Sequence, residues 1–228
     1  MAKKKDQTED RIVAVEEALS KTEQFIESKK NLLSYIVLGI VILVAAYLGY
    51  TKFILAPKEI DAQSQMFVAE QYFEKDSLEL AIYGDGNYLG FIDIISEYRI
   101  TKSANLAKYY LGICYLKQGD FDNAIKYLKK YKSKDKMVAP MAKGAIGDAY
   151  MELNETDKAL EYYLKAAELN DNELTSPLFL MKAGWTYEIL NDFEEAANVY
   201  EKIKQEFPRS FEARDIDKYI ARAKGGIK

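Results

Sequence analysis

Small residues return at fixed offsets three times along this chain, and a helical chain that repeats them in this way is built to stack on itself. Leu111-Gly112 is followed by Tyr115, Gly119-Asp120-Phe121, Ala124 and Leu128. Ile146-Gly147 is followed by Tyr150, Asn154-Glu155-Thr156, Ala159 and Tyr163. Ala183-Gly184 is followed by Tyr187, Asn191-Asp192-Phe193, Ala196 and Tyr200, and Pro208 closes the third unit. The period is about 34 residues. Such offsets place Gly112, Gly147 and Gly184 where a first helix presses on its partner and a side chain would hold the backbones apart. Ala124, Ala159 and Ala196 make the same contact from the second helix. Tyr115, Tyr150 and Tyr187 are expected to fill the space between neighbouring repeats. Gly119, Asn154 and Asn191 tolerate left-handed backbone in the turn. Pro140 and Pro177 suit first helical positions, where a missing N–H costs nothing.

These residues resemble the tetratricopeptide repeat family. The resemblance covers three regular repeats, 105–138, 140–173 and 177–210, and a divergent helix pair ahead of them, 59–98. That first pair would join Ile60–Glu74 to Tyr88–Tyr98 across an enlarged loop containing Gly84-Asp85-Gly86-Asn87, with Gly90 where the family usually has alanine. Residues 211–224 place Phe211, Ile216, Tyr219 and Ile220 on one face and look like the terminal capping helix that solenoids need. The resemblance implies a groove lined by the first helices, here Tyr109, Ile113 and Leu116, then Gly144, Asp148 and Met151, then Met181, Trp185 and Glu188. Methionine adapts to irregular partners and tryptophan is enriched at interface hot spots. Ile113 and Leu116 read equally well as core between repeats. One subtype of the family clamps a C-terminal carboxylate with Lys and Asn, but the corresponding positions here hold Tyr109, Ile113, Gly144 and Asp148. The clamp is absent.

Ahead of the repeats, Leu32 to Tyr50 carries no charge. About 20 apolar residues rising ~1.5 Å each cross the ~30 Å hydrocarbon core of a bilayer. A transmembrane helix is therefore expected over 31–56, with Tyr35, Tyr47 and Tyr50 at headgroup level and Pro57 where the helix leaves the interface. The run is too long and too far from the N-terminus for a cleaved signal, and no small-x-small site follows it. Lys3, Lys4, Lys5, Arg11, Lys21, Lys29 and Lys30 precede it, and only Lys52 and Lys58 closely follow. The positive-inside rule then puts the N-terminus in the cytoplasm. The leader, 1–30, carries an amphipathic stripe through Ile12, Val15, Leu19, Thr22 and Ile26. It reads either as an exposed helix leading into the membrane or as a short docking segment.

Composition removes several kinds of chemistry. There is no histidine, so histidine triads and histidine metal sites are excluded. The single cysteine, Cys114, can close no internal disulfide. A net charge of −4, with no strongly basic block noted in the large domain, argues against nucleic acid as partner. No phosphate-binding Gly-Lys-Ser/Thr loop, cofactor motif or metal-ligand cluster is found, and no enzyme activity is expected. The fold expected is all-α, a single N-terminal transmembrane helix followed by an α-solenoid of helix-turn-helix repeats with a C-terminal cap. This architecture looks like the YfgM-like family of ancillary subunits of the bacterial SecYEG translocon. That likeness implies a scaffold or co-chaperone in the inner membrane with its repeats in the periplasm. The implied partners are Sec translocon subunits, a membrane-anchored PpiD-like chaperone and nascent or unfolded polypeptide. The alternative is a cytosol-facing receptor or adaptor for protein import or assembly.

Overall fold

The computed structural model describes residues 27–227, so most of the expected amphipathic leader lies outside the described residues. The chain divides into two units, Met1–Pro57 and Lys58–Lys228.

In the first unit, helix α1 occupies 27–50, followed by a π-helical turn, Thr51–Leu55. The helix is long and apolar enough to cross a membrane, and none of its most apolar window is buried. Leu43 and Tyr35, for example, are 71% and 73% exposed. Pro57 does not break the helix, because α2, Ala56–Glu74, runs through it. The wider turn just before it, where the Ala56 N–H reaches back to the Thr51 carbonyl, relieves the clash a proline makes with the preceding turn.

The second unit is a succession of helices with no regular strand among the described residues. Helix α2 buries Ala62, Met66 and Ala69 at helical spacing. Its Glu59 accepts hydrogen bonds from the Lys102 and Ser103 amides (2.7 and 3.1 Å) and the Ser103 hydroxyl (2.7 Å), at the start of α5, Lys102–Gln118. Burial alone would raise the Glu59 pKa, but these hydrogen bonds outweigh it and hold the carboxyl below its usual 4.5. A depressed carboxylate contributes stability that is present above the unfolded-state pKa and is lost as pH falls through the folded value. Glu59→Gln is therefore expected to destabilise the domain at neutral pH and to flatten the acid limb of its stability profile, measured by urea unfolding at neutral and acidic pH. Thr101 caps the same helix, its Oγ accepting from the Ala104 amide at 3.0 Å and donating to the Tyr98 carbonyl at 2.7 Å. Thr101→Ala should cost about 1 kcal/mol, read from the shift in denaturation midpoint.

The divergent pair expected over 59–98 is not two helices. A short helix, α3 (Leu78–Tyr83), occupies part of the expected loop, and α4 (Phe91–Glu97) starts three residues later than the expected second helix. Between them, Gly84 and Leu89 form an isolated antiparallel bridge. Gly84 has a φ of 82°, and Asp85 binds the Asn87 and Tyr88 amides and the Tyr72 hydroxyl. A Cβ on Gly90 would run into the backbone of Ile82 and Gly84, so glycine is required where the loop closes on α3.

Three regular pairs follow, α5 with α6 (Phe121–Lys130), α7 (Val138–Glu152) with α8 (Thr156–Leu169), and α9 (Thr175–Ile189) with α10 (Phe193–Glu206). Gly112, Gly147 and Gly184 are buried at the contact within each pair. Added Cβ atoms there would meet Leu128, Tyr163 and Tyr200, each sixteen residues further on. Ala124, Ala159 and Ala196 are completely buried. The turns use Gly119 at φ 80°, Asn154 at 58° and Asn191 at 61°. Pro140 and Pro177 stand third in their helices rather than first, still within the turn whose N–H groups have no helical partner. The signature glycines are 35 and 37 residues apart, slightly more than the expected period.

From α3 onward each helix packs on the next in sequence, and α7 also touches α5 and α9. Among the described residues no comparable contact joins α6 to α8 or α8 to α10. The first helices are thus the closer-packed row and form the inner face of the array. A 3₁₀ turn, Glu212–Asp215, then leads into α11, Ile216–Gly226, which buries Ile216, Ile220 and Ala223. Phe211 does not share that face. It is 73% exposed, because the intervening turn takes it out of the helical register, and the Arg214 guanidinium lies over its ring.

Candidate protein-binding site

The inner face collects some of the expected groove residues and withholds others. Leu116 from α5 and Asp148 and Met151 from α7 line one cleft of about 470 Å³, together with Phe121, Glu152 and Tyr163. Leu116 and Met151 supply apolar wall and are half-buried. Asp148 is not a free charge. Its Oδ1 accepts from the Lys182 ammonium of α9 at 2.6 Å and from the Tyr163 hydroxyl at 2.7 Å. Burial, then the charge and hydrogen bond of Asp148, push the Tyr163 hydroxyl pKa well up, so that hydroxyl stays a donor.

The third repeat repeats this device with different residues. Glu188 binds the Arg222 guanidinium of α11 at 2.6 Å and accepts from the Tyr200 hydroxyl at 3.1 Å. Asp148 to Lys182 and Glu188 to Arg222 both span 34 residues, so each ties one inner helix to the next. Trp185 is 42% exposed, with its ring 6.3 Å from that of Tyr219 on the capping helix. It presents an aromatic edge at the far end of the row.

Met181 is 5% exposed and belongs to the interior cluster of α6 to α11, so it packs and does not line a groove. Gly144 is also interior, because a Cβ there would overlap the Phe179 ring of α9. Ile113 is half-buried against the same cluster. Tyr109 is half-buried between Tyr110 and Tyr131, with ring centroids 5.6 Å from each, and burial raises its pKa. Of the spacer tyrosines, Tyr115 stacks on Tyr127 and touches the clusters on both sides. Tyr150 accepts from Lys129 of the preceding repeat at 2.7 Å, and Tyr187 is half-buried against the larger cluster.

Sequence reasoning missed Lys182 and Arg222, and placed Tyr219 on the packed face of the cap without its contact to Trp185, because these roles depend on side chains a whole repeat away. It also passed over a run of lysines between 126 and 136, which was legible as composition alone.

A row of closely packed first helices with a half-apolar cleft between them defines a helical-repeat scaffold for binding other proteins. Models of the tetratricopeptide repeat match residues 106–135 and 145–211. Over those residues the helix pairs match the tetratricopeptide repeat, and the domain has the fold of a solenoid of that kind. A TPR repeat-containing protein of Methanocaldococcus jannaschii is 30% identical over 141 residues, 61% of this chain and 24% of that protein. The chain thus spans about a quarter of that relative's length. Among solved structures, the nearly identical TPR-like repeats of a Podosopora anserina protein assigned to the kinesin light chains superpose with a TM-score of 0.54 at 13% identity, over 72% of this chain and 85% of that one. A substituted form of the same repeats gives 0.54 at 14% identity with the same coverage.

Proposed function

We propose that this chain is a membrane-anchored scaffold that holds polypeptides on the extracytoplasmic side of a bacterial cell membrane, working with the Sec translocon or a chaperone beside it. The observation that carries the binding role is the cleft between α5 and α7, where Leu116, Phe121 and Met151 stay accessible although their neighbours are packed away. Asp148 and Glu188 of the inner face are already paired, so the surface offered is largely apolar with fixed polar edges and suits unfolded or extended segments rather than one charged terminus. Anchoring is supported by the uncovered apolar side chains of α1, which would be costly in water and are at home in lipid. The excess of lysine and arginine before that helix supports an N-terminus in the cytoplasm.

Photo-crosslinkers placed at Leu116, Met151 and Trp185 in intact cells test this reading. Capture of translocon subunits, a membrane-anchored chaperone or a translocating polypeptide is expected, and labelling only of soluble cytoplasmic proteins would refute it. Protease treatment of sealed inverted vesicles tests the sidedness. The repeats should be protected, and their digestion would assign the chain instead to the cytosol-facing receptors.

A further inference from the structure

Six lysines, Lys126, Lys129, Lys130, Lys132, Lys134 and Lys136, stand at the end of α6 and in the link to α7 against one carboxylate, Asp135. That carboxylate is already engaged, accepting the Met137 and Val138 amides at 2.8 Å as α7 begins. Among the described residues none of the six forms an ion pair with an acid, nor do neighbouring Lys108 and Lys143. Lys117, Lys158, Lys165, Lys182, Lys204 and Arg222 elsewhere in the domain each do. Burial, then the like charges of Lys130 and Lys132, lower the Lys108 pKa, as expected for cations gathered without counter-charge. Two of them, Lys129 and Lys130, complement the negative end of α6. The helix end accounts for no more than those.

The excess has a shape to serve. A cleft of about 380 Å³ opens between the end of α6 and the faces of α7 and α8. Lys129, Lys132 and Lys143 form its polar rim and Leu128, Ile146 and Tyr162 its apolar floor, and no acidic residue lines it. The Lys129 ammonium is held in place by the Tyr150 hydroxyl at 2.7 Å and lies 5.1 and 5.5 Å from the Tyr150 and Tyr162 ring centres. Those contacts orient the charge without neutralising it. The cleft uses the first half of α7, whereas the groove cleft uses its last turn, so the two are separate.

We propose that this cleft is a second docking site, which takes an acidic segment of a partner polypeptide. Two or more Asp or Glu carboxylates meet the lysine rim, and one apolar side chain fills the floor. Charge complementarity selects the acids, and the floor selects a polypeptide over a phosphate backbone, which carries no such side chain. The domain around the cleft is acidic overall and would repel an extended nucleic acid beyond it. This inference does not depend on the groove reading.

The test uses the full chain in detergent and a short fluorescein-labelled peptide alternating Asp or Glu with Leu and Phe, followed by fluorescence anisotropy. Saturable binding is expected, weakened about tenfold or more by K132E/K143E and by raised salt, and unaffected by Trp185→Ala. K132Q/K143Q should weaken it less, and circular dichroism checks that both variants remain helical. The proposal is overturned by no saturable binding, by equal binding of the Asn/Gln version of the peptide, or by binding that Trp185→Ala abolishes while K132E/K143E leaves it intact. Tighter binding of a single-stranded DNA oligomer, or of phosphatidylglycerol vesicles, would overturn it in favour of nucleic acid or lipid.

Discussion

Gly144→Val is expected to lower the unfolding free energy of the repeat domain by about 3 kcal/mol. Gly144 faces the Phe179 ring, which is 2% exposed and has no room to withdraw. Any side chain at 144 must push α7 and α9 apart, and that separation also stretches the Asp148–Lys182 pair between the same helices. Urea unfolding followed by circular dichroism measures the loss. Gly225→Ala is the matched control, because its Cβ would enter open space near the end of α11. The control should be neutral or slightly stabilising through helix propensity. A Gly144→Val protein as stable as the parent would mean that the second and third repeats are not packed as described.

Tyr200→Ala should cost about 4 kcal/mol, because the side chain is fully buried against Gly184 and its removal leaves a cavity that neighbouring helices cannot close. Tyr200→Phe keeps the ring and removes only the hydroxyl that donates to Glu188, so about 1 kcal/mol is expected. The difference between the two separates packing from the hydrogen bond. Glu188 keeps Arg222 in either variant, so the tie to α11 should survive. Equal losses in the two variants would shift the weight to the hydroxyl.

These two sites also mark how far the sequence could be read. The contacts at Gly112, Gly147 and Gly184 lie within one helix pair, so their chemistry repeats with the chain and is visible as a period. The turn residues Asn154 and Asn191 are legible for the same reason, since a left-handed residue is a local requirement. The groove was less legible because its residues answer to neighbours a repeat away. Helices α6, α8 and α10 are apolar on one side only, and their buried faces follow from spacing. Helices α5, α7 and α9 carry apolar residues nearly all round, being packed on several sides. Spacing therefore could not separate interior Met181 from accessible Met151. The first helix pair was misread because Gly84 and Gly90 allow a bridge and close backbone contact that no helical pattern announces. Phe211 was misplaced by extending an α-helical register through a 3₁₀ turn.

The two ties along the inner face, Asp148 to Lys182 and Glu188 to Arg222, act as clasps between successive rungs. Pulled by its two ends, the solenoid would not stretch evenly like rubber. Tension would concentrate at each clasp in turn, and the array would lengthen in discrete ruptures, one rung at a time.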